Sequence, residues 1–124
     1  MAISVTTSEW PIMELLWKQP HTLMELVYQL AESEGWAKST VTTMVRRMEA
    51  KGLIRYETEG RTKTFHAAVA REDVAAKETA SLLSRAYQGS IGLLVSAMAQ
   101  RNSLTKADID ELYEILQKAE EELK

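Results

Sequence analysis

The sequence contains no cysteine among its 124 residues. Disulfide bonds, thiolate metal sites and a cysteine nucleophile are therefore excluded. The two histidines, His21 and His66, are far apart and have no clustered carboxylates beside them, so we expect no metal site. Because a Ser/His/Asp set, a glycine-rich phosphate loop and an HExxH motif are also missing, the sequence offers no catalytic residues. It predicts neither an enzyme nor a bound cofactor.

Long apolar segments are missing as well. No run of about 18 apolar residues is present, so no membrane partner is expected. The N-terminus lacks the charged and then apolar pattern that is typical of a secretory signal. We therefore expect a cytoplasmic protein of one or two small domains with a modest core.

Positive charge is scarce overall but concentrated in one segment. The formal net charge is -3. Residues 36–63 nevertheless carry seven basic against three acidic side chains, an excess of four positive charges, whereas residues 71–124 carry seven basic against ten acidic. The local patch, rather than the net charge, sets the field that a phosphate meets. The distribution indicates one basic face beside an acidic tail.

Apolar residues recur at helical spacing over most of the chain, which predicts six helices and one β-hairpin. The first helix is predicted to run from Ser8, its N-cap, to Lys18. The second begins at Thr22, which forms a capping box with Glu25. Both helices precede the basic segment and are expected to support it.

The segment from Trp36 to Ala67 is the most informative part of the chain. A third helix is predicted over residues 38–51, with apolar residues at i, i+3, i+4 and i+7 and a left-handed stop at Gly52. Strands at residues 53–57 and 62–67 then flank a charged glycine turn, which gives a wing over residues 57–63. This order is typical of the second half of a winged helix-turn-helix, whose helix enters the DNA major groove while the wing reaches along the backbone.

The outward face of the third helix predicts the DNA contacts. Short hydroxyl side chains allow close approach to bases and phosphates, and arginine can fork onto guanine. Arg61 follows Gly60 at the hairpin tip, which aims it at a groove or a phosphate. The predicted DNA-binding residues are Lys38, Ser39, Thr40, Thr42, Thr43, Arg46, Arg47, Arg61 and Lys63. An ordinary solvated helix face is the alternative, and Arg55 and Lys63 also fit plain strand charges.

The C-terminal part predicts a homodimer. Helices at residues 73–87 and 90–101 precede a last helix that is capped by Thr105 with Asp108. These helices hold more apolar surface than one chain can bury, and the simplest partner is an identical chain about a twofold axis. The predicted dimerisation residues are Leu82, Leu83, Ile91, Leu94, Leu112, Ile115 and Leu116.

The expected fold is mainly α with a small β-hairpin wing. A winged helix-turn-helix domain is predicted over residues 1–70 and a three-helix dimerisation domain over residues 71–124. Two other functions stay open at this point. A winged helix can serve protein contacts without DNA, but such a module need not carry the arginines of the third helix. An enzyme subunit is the third alternative, and no acid, base or nucleophile set supports it.

Several stretches together resemble the penicillinase-repressor family, which includes the BlaI, MecI and CopY repressors. They are SEWPIMELLWK in the first helix, WAKSTVTTMVRRMEAKGLI through the third, EGR at the wing, and YQGS with LTKADIDELYEIL in the tail. The resemblance implies a cytoplasmic homodimer that binds double-stranded DNA at a palindromic operator and represses a resistance or stress operon. The DNA-facing positions that it implies are Ser39, Thr40, Thr42, Thr43 and Arg47, with Arg61 at the wing.

The chain also departs from the family pattern. Its third helix starts with Ala37-Lys38-Ser39 where relatives often carry Ser-Pro-Lys, so a different operator sequence is expected. Members that respond to β-lactams are cleaved by a protease at an Asn-Phe bond, and the aligned pair here is Ala97-Met98. Members that respond to copper carry a cysteine-rich tail, which this chain lacks. We expect induction to weaken the dimer, through a regulatory protease or partner binding near residues 90–101.

Overall fold

The structure, a computed structural model, describes residues 4–101 and 103–124. In these ranges the chain forms six helices and three strands, which confirms the mainly helical fold with a small hairpin. The helices are α1 (Trp10–Lys18), α2 (Leu23–Glu34), α3 (Lys38–Ala50), α4 (Arg71–Tyr87), α5 (Ile91–Gln100) and α6 (Lys106–Glu122). The strands are β1 (His21–Thr22), β2 (Ile54–Glu59) and β3 (Thr62–Ala67).

Two helices begin at the capping boxes that the sequence predicts. At the start of α2 the backbone N–H of Thr22 donates to Glu25 Oε1 at 2.8 Å, and the N–H of Glu25 donates to Thr22 Oγ1 at 3.2 Å. Thr105 and Asp108 make the same exchange at the start of α6, at 3.0 and 3.1 Å. Each box satisfies amides that have no partner within the helix.

The predicted cap of α1 is wrong. Glu9, not Ser8, is the N-cap residue, and its side chain makes no capping hydrogen bond. The reciprocal pair lies earlier in the chain, because the N–H of Thr6 donates to Glu9 Oε1 at 2.9 Å and the N–H of Glu9 donates to Thr6 Oγ1 at 3.3 Å. The Thr-x-x-Glu spacing of Thr6 and Glu9 is the sequence signal for this pair.

The predicted hairpin gains a third strand, which the sequence analysis missed. The sheet is antiparallel with the order β1-β3-β2. His21 pairs with Phe65, and Glu59 pairs with Thr62 beside the turn. Gly60 in that turn has a φ of 65°, a conformation that favours glycine. The short β1 ties the entrance of α2 to the wing.

The hydrophobic core lies in the first part of the chain. Every hydrophobic side chain that is buried among the described residues falls between Val5 and Val74. In α3 the predicted stripe is present, since Val41, Val45 and Met48 are buried and Met44 packs against the core. Burial of this stripe fixes which side of α3 faces outward.

The chain divides into two compact units, Met1–Glu78 and Thr79–Lys124. The division falls inside α4, so the first unit keeps Val74, which is 1% exposed. The predicted domain boundary, between residues 70 and 71, coincides with the start of α4. The division into a DNA-binding domain and a dimerisation domain stays a prediction. In the second unit, α5 and α6 contain no buried residue in the part that the structure describes.

An ion pair holds the end of α3 to the start of α1. Lys51, the C-cap of α3, places its Nζ 2.8 and 3.0 Å from the two carboxylate oxygens of Glu9, which is 6% exposed. Burial raises the pKa of the Glu9 carboxyl, but hydrogen bonds from Lys51 and Thr6 and the charge of Lys51 lower it by more. The pKa of Glu9 therefore lies below its ordinary value.

We expect Glu9→Gln to lower the free energy of unfolding by about 1 kcal/mol at pH 7, because a charge-assisted hydrogen bond is lost and Lys51 stays partly hydrated. Since the folded pKa lies below the unfolded one, the ionised carboxylate stabilises the fold above about pH 4.5 and loses this effect as the pH falls. Urea denaturation should therefore show the stabilities of the variant and the parent converging as the pH falls below about 4.5. Glu34→Gln, at an exposed carboxylate, is the control, and a difference that is independent of pH would contradict the expectation.

Candidate DNA-binding surface

The outward face of α3 carries most of the predicted DNA-binding residues. Lys38, Ser39, Thr40, Thr43, Arg46 and Arg47 are exposed, and Thr42 is half-buried at the edge of the face. On the wing, Arg61 and Lys63 are exposed as well. The buried stripe of α3 dictates this orientation, because residues offset from it along a helix point to the opposite side.

A cleft of about 590 Å³ separates α3 from the wing. Thr42 and Arg46 line it from the helix, and Arg61 and Lys63 line it from the hairpin. Its other lining residues include the apolar side chains Leu23, Met24, Val45 and Phe65. The cleft thus combines apolar and cationic lining residues. This combination suits DNA, because the apolar side chains can contact a base or a sugar while the cations meet the phosphates.

A second groove runs along the other side of α3. Ser39, Thr40, Thr43 and Arg47 line it, together with Thr6, Ser8 and the Glu9–Lys51 pair. The predicted helix residues are therefore divided between two grooves. Sequence analysis missed the wall formed by Thr6 and Ser8, because only the fold brings the N-terminal segment beside α3.

The basic side chains of residues 36–63 differ in whether they have a partner within the protein. Lys51 is paired with Glu9, and Arg55 with Glu57 at 3.0 Å. Lys63 Nζ lies 4.2 Å from the centroid of the Tyr56 ring. Among the described residues, Arg46, Arg47 and Arg61 have no carboxylate partner. These three guanidinium groups are exposed and free to meet a ligand.

The remaining polar groups near the wing form no evident site for a metal. His66 Nε2 lies 3.7 Å from Glu57 Oε2 on the neighbouring strand. The imidazole of His21 is buried, and its Nδ1 has no hydrogen-bond partner in the described ranges. No cluster of three potential ligand side chains is found among residues 4–101 and 103–124.

The predicted dimerisation residues lie on the helices of the tail. Leu82, Ile91, Ile115 and Leu116 are 44%, 66%, 52% and 62% exposed, while Leu83, Leu94 and Leu112 are half-buried. Ala97 and Met98 lie inside α5, where Ala97 is half-buried and Met98 is 42% exposed. A protease would need the helix to unwind locally at this pair, so cleavage there stays a prediction. No helix in the described part of the chain is long and apolar enough to cross a membrane.

Comparison with known proteins agrees with the fold and with the motifs. The penicillinase repressor family model matches residues 5–118. The chain is 26% identical to the penicillinase repressor of Bacillus licheniformis over 114 residues, 91% of this chain and 89% of that protein. It is 22% identical to the methicillin resistance regulatory protein MecI of Staphylococcus aureus (strain N315) over 115 residues, 92% of this chain and 94% of that protein.

Solved structures give the same fold. The solution structure of the DNA-binding domain of the repressor BlaI superposes with a TM-score of 0.52 at 24% identity, and covers 56% of this chain and 85% of that domain. This likeness supports a winged helix-turn-helix in the first unit. Because the family model spans nearly the whole sequence, the resemblance inferred from the motifs is confirmed, and the chain belongs to the penicillinase repressor family.

Proposed function

We propose that this chain is a transcriptional repressor that binds double-stranded DNA through α3 and the wing. The observation that supports the proposal is that Arg46, Arg47 and Arg61 are exposed and have no carboxylate partner within the ranges that the structure describes. Buried or paired arginines would serve the fold, whereas unpaired ones beside two grooves suit phosphates and guanine edges. A winged helix used only for protein contacts would not need this concentration of guanidinium groups.

We further propose that two chains act together on a palindromic operator. The apolar residues of α5 and α6 have no buried position within one chain, and a second copy about a twofold axis would cover them. The two DNA-binding domains of such a dimer, called heads below, would then contact two half-sites on one face of the DNA. The names of the relatives point to a resistance operon as the controlled target.

The direct test is fluorescence anisotropy with duplex fragments from the promoter of the chain's own operon. A scrambled duplex of the same length and composition is the control. Tighter binding to the promoter fragment supports a sequence-specific repressor, and equal binding to both duplexes would contradict it. The neighbouring genes then identify the controlled pathway.

Arg47 and Arg61 are expected to contribute in different ways. Arg47→Ala should cost about 1–3 kcal/mol if the guanidinium forks onto a base, and should relax the preference at one operator position. Arg61→Ala should weaken binding to all sequences and lower the salt slope by about one per head. Anisotropy titrations against single-base operator variants, repeated at several salt concentrations, separate the two patterns.

Arg55→Ala is the matched control for both variants, since this guanidinium is already paired with Glu57. It should change the affinity less than either of the other two substitutions. If Arg61→Ala alters the base preference and Arg47→Ala does not, the two roles are reversed.

A further inference from the structure

Two adjacent threonines of α3 differ in the state of their hydroxyl groups. Thr42 Oγ1 donates a hydrogen bond to the carbonyl oxygen of Lys38 at 2.9 Å, one turn earlier in the helix. Thr43 makes no side-chain hydrogen bond to any residue in the described ranges. Thr42 lines the cleft beside the wing, whereas Thr43 lines the groove on the other side of α3.

The bond to Lys38 decides which part of Thr42 a ligand meets. A hydroxyl group has one proton to donate, and in Thr42 that proton is used within the helix. With Oγ1 turned back toward the preceding turn, the methyl group is left to line the cleft. Its neighbours there include the apolar side chains of Met24 and Val45.

The surroundings of Thr43 favour contact with a ligand through the hydroxyl group rather than the methyl group. Its side chain is exposed, and none of residues 4–101 and 103–124 makes a hydrogen bond to its hydroxyl group. Arg47, one turn further along the same groove, carries an unpaired guanidinium. A free hydroxyl beside an unpaired cation suits a hydrogen bond to a base edge or to a phosphate oxygen.

We propose that Thr42 recognises the C5-methyl group of a thymine by apolar contact, and that Thr43 binds DNA through its hydroxyl. Thymine is the base that presents a methyl group in the major groove, so apolar contact there distinguishes it from cytosine. This inference rests on the proposed function, and it predicts a thymine in each half-site of the operator at the position facing Thr42.

Paired substitutions separate the methyl group from the hydroxyl at each position. Thr42→Val keeps a methyl group and removes the hydroxyl, whereas Thr42→Ser does the reverse. Thr42→Ser should bind the promoter about fourfold more weakly per half-site than Thr42→Val, the affinity that burial of one methyl-sized group contributes. The order should invert at the neighbouring position, where Thr43→Val should bind about fivefold more weakly than Thr43→Ser.

Deoxyuridine makes the matching change in the DNA, because it lacks only the C5-methyl group of thymidine. Each thymine of the promoter fragment is replaced in turn, and the affinity is measured by anisotropy with the full-length chain. At one position in each half-site the replacement should weaken binding about fourfold for the parent and for Thr42→Val. The same replacement should not change the affinity of Thr42→Ser. The protein substitution and the DNA replacement together form a double-mutant cycle between the two methyl groups.

The outcomes distinguish this inference from the function on which it rests. If the chain binds the promoter but Thr42→Val and Thr42→Ser are equally weak, or no deoxyuridine replacement matters, only the inference about Thr42 is overturned. If the parent fails to prefer the promoter over the scrambled duplex, the proposed function is overturned together with it. Thermal unfolding of each variant by circular dichroism checks that the four substitutions leave the fold in place. We expect this because Thr43 is exposed, Thr42 is only half-buried, and threonine, serine and valine have similar helix propensities.

Discussion

Ile115→Glu combined with Leu116→Glu is expected to convert the proposed dimer into a monomer and to weaken binding to the proposed operator by about 10²–10⁴-fold. The two side chains are 52% and 62% exposed on α6, and no residue of α5 or α6 is buried in the described part of the chain. The proposed homodimer would cover such a surface, and two charges placed on it would be desolvated without partners. Each separated head would then bind one half-site without the gain from linkage.

Sedimentation equilibrium gives the oligomeric state, and anisotropy with the operator fragment gives the affinity. Gln117→Glu is the matched control, because it adds a negative charge to the same helix and keeps the apolar residues. A doubly substituted chain that remains a dimer would exclude this part of α6 from the interface. A monomer that still binds the operator as tightly as the parent would show that linkage is not needed.

A truncated chain also tests whether the tail is needed for dimerisation and tight binding, but only if it retains the part of α4 that packs in the core. Val74 is 1% exposed, although it lies beyond the boundary predicted at residue 70. A fragment that ends at Ala70 loses this side chain, and weak binding would then have two explanations. A fragment that ends at Glu78 keeps the whole of the first compact unit and isolates the loss of the tail.

Local patterns made most of the fold predictable from the sequence. The capping boxes at Thr22 and Thr105 and the apolar stripe of α3 each depend on residues within two turns of one another, so spacing alone reveals them. The positive φ of Gly52 agrees with its prediction as a helix stop. These signals suffice to place α3 beside a hairpin.

The parts that were not predictable depend on contacts between distant segments. Glu9 and Lys51 are 42 positions apart, and neither has a local feature that announces the other. The count of basic side chains therefore includes Lys51, although Lys51 is paired with Glu9. Arg55 is paired as well, but with Glu57 only two positions along the same strand. The strand β1 has only two residues, too few for an alternating pattern to be recognised.

The division of the site into two grooves also emerged only from the fold. Sequence spacing shows that Thr42 and Thr43 both lie outside the buried stripe, but it does not show what each residue faces. The wing approaches α3 on the side of Thr42, and the N-terminal segment approaches it on the side of Thr43. Adjacent residues of one type can therefore have different roles.

Operator binding is expected to weaken by about 10³-fold between 50 and 200 mM salt, with a logarithmic slope near −5. This slope corresponds to about six phosphate contacts in a dimer, three per head, each of which releases counterions from the DNA. Lys38, Arg61 and Lys63 are exposed cations that can supply those three contacts. The overall charge of -3 would suggest repulsion from DNA, but the proposed DNA-binding surface holds these exposed cations, and the local field is what a phosphate meets.

Anisotropy titrations of the promoter fragment from 50 to 200 mM potassium chloride measure the slope directly. Arg61→Ala removes one phosphate contact from each head and should reduce the slope of the dimer by about two. Lys18→Ala removes the same charge from an exposed position at the end of α1, away from both grooves, and should leave the slope unchanged. A slope near zero for the parent, or an equal reduction by both variants, would mean that the α3 and wing surface does not make the phosphate contacts.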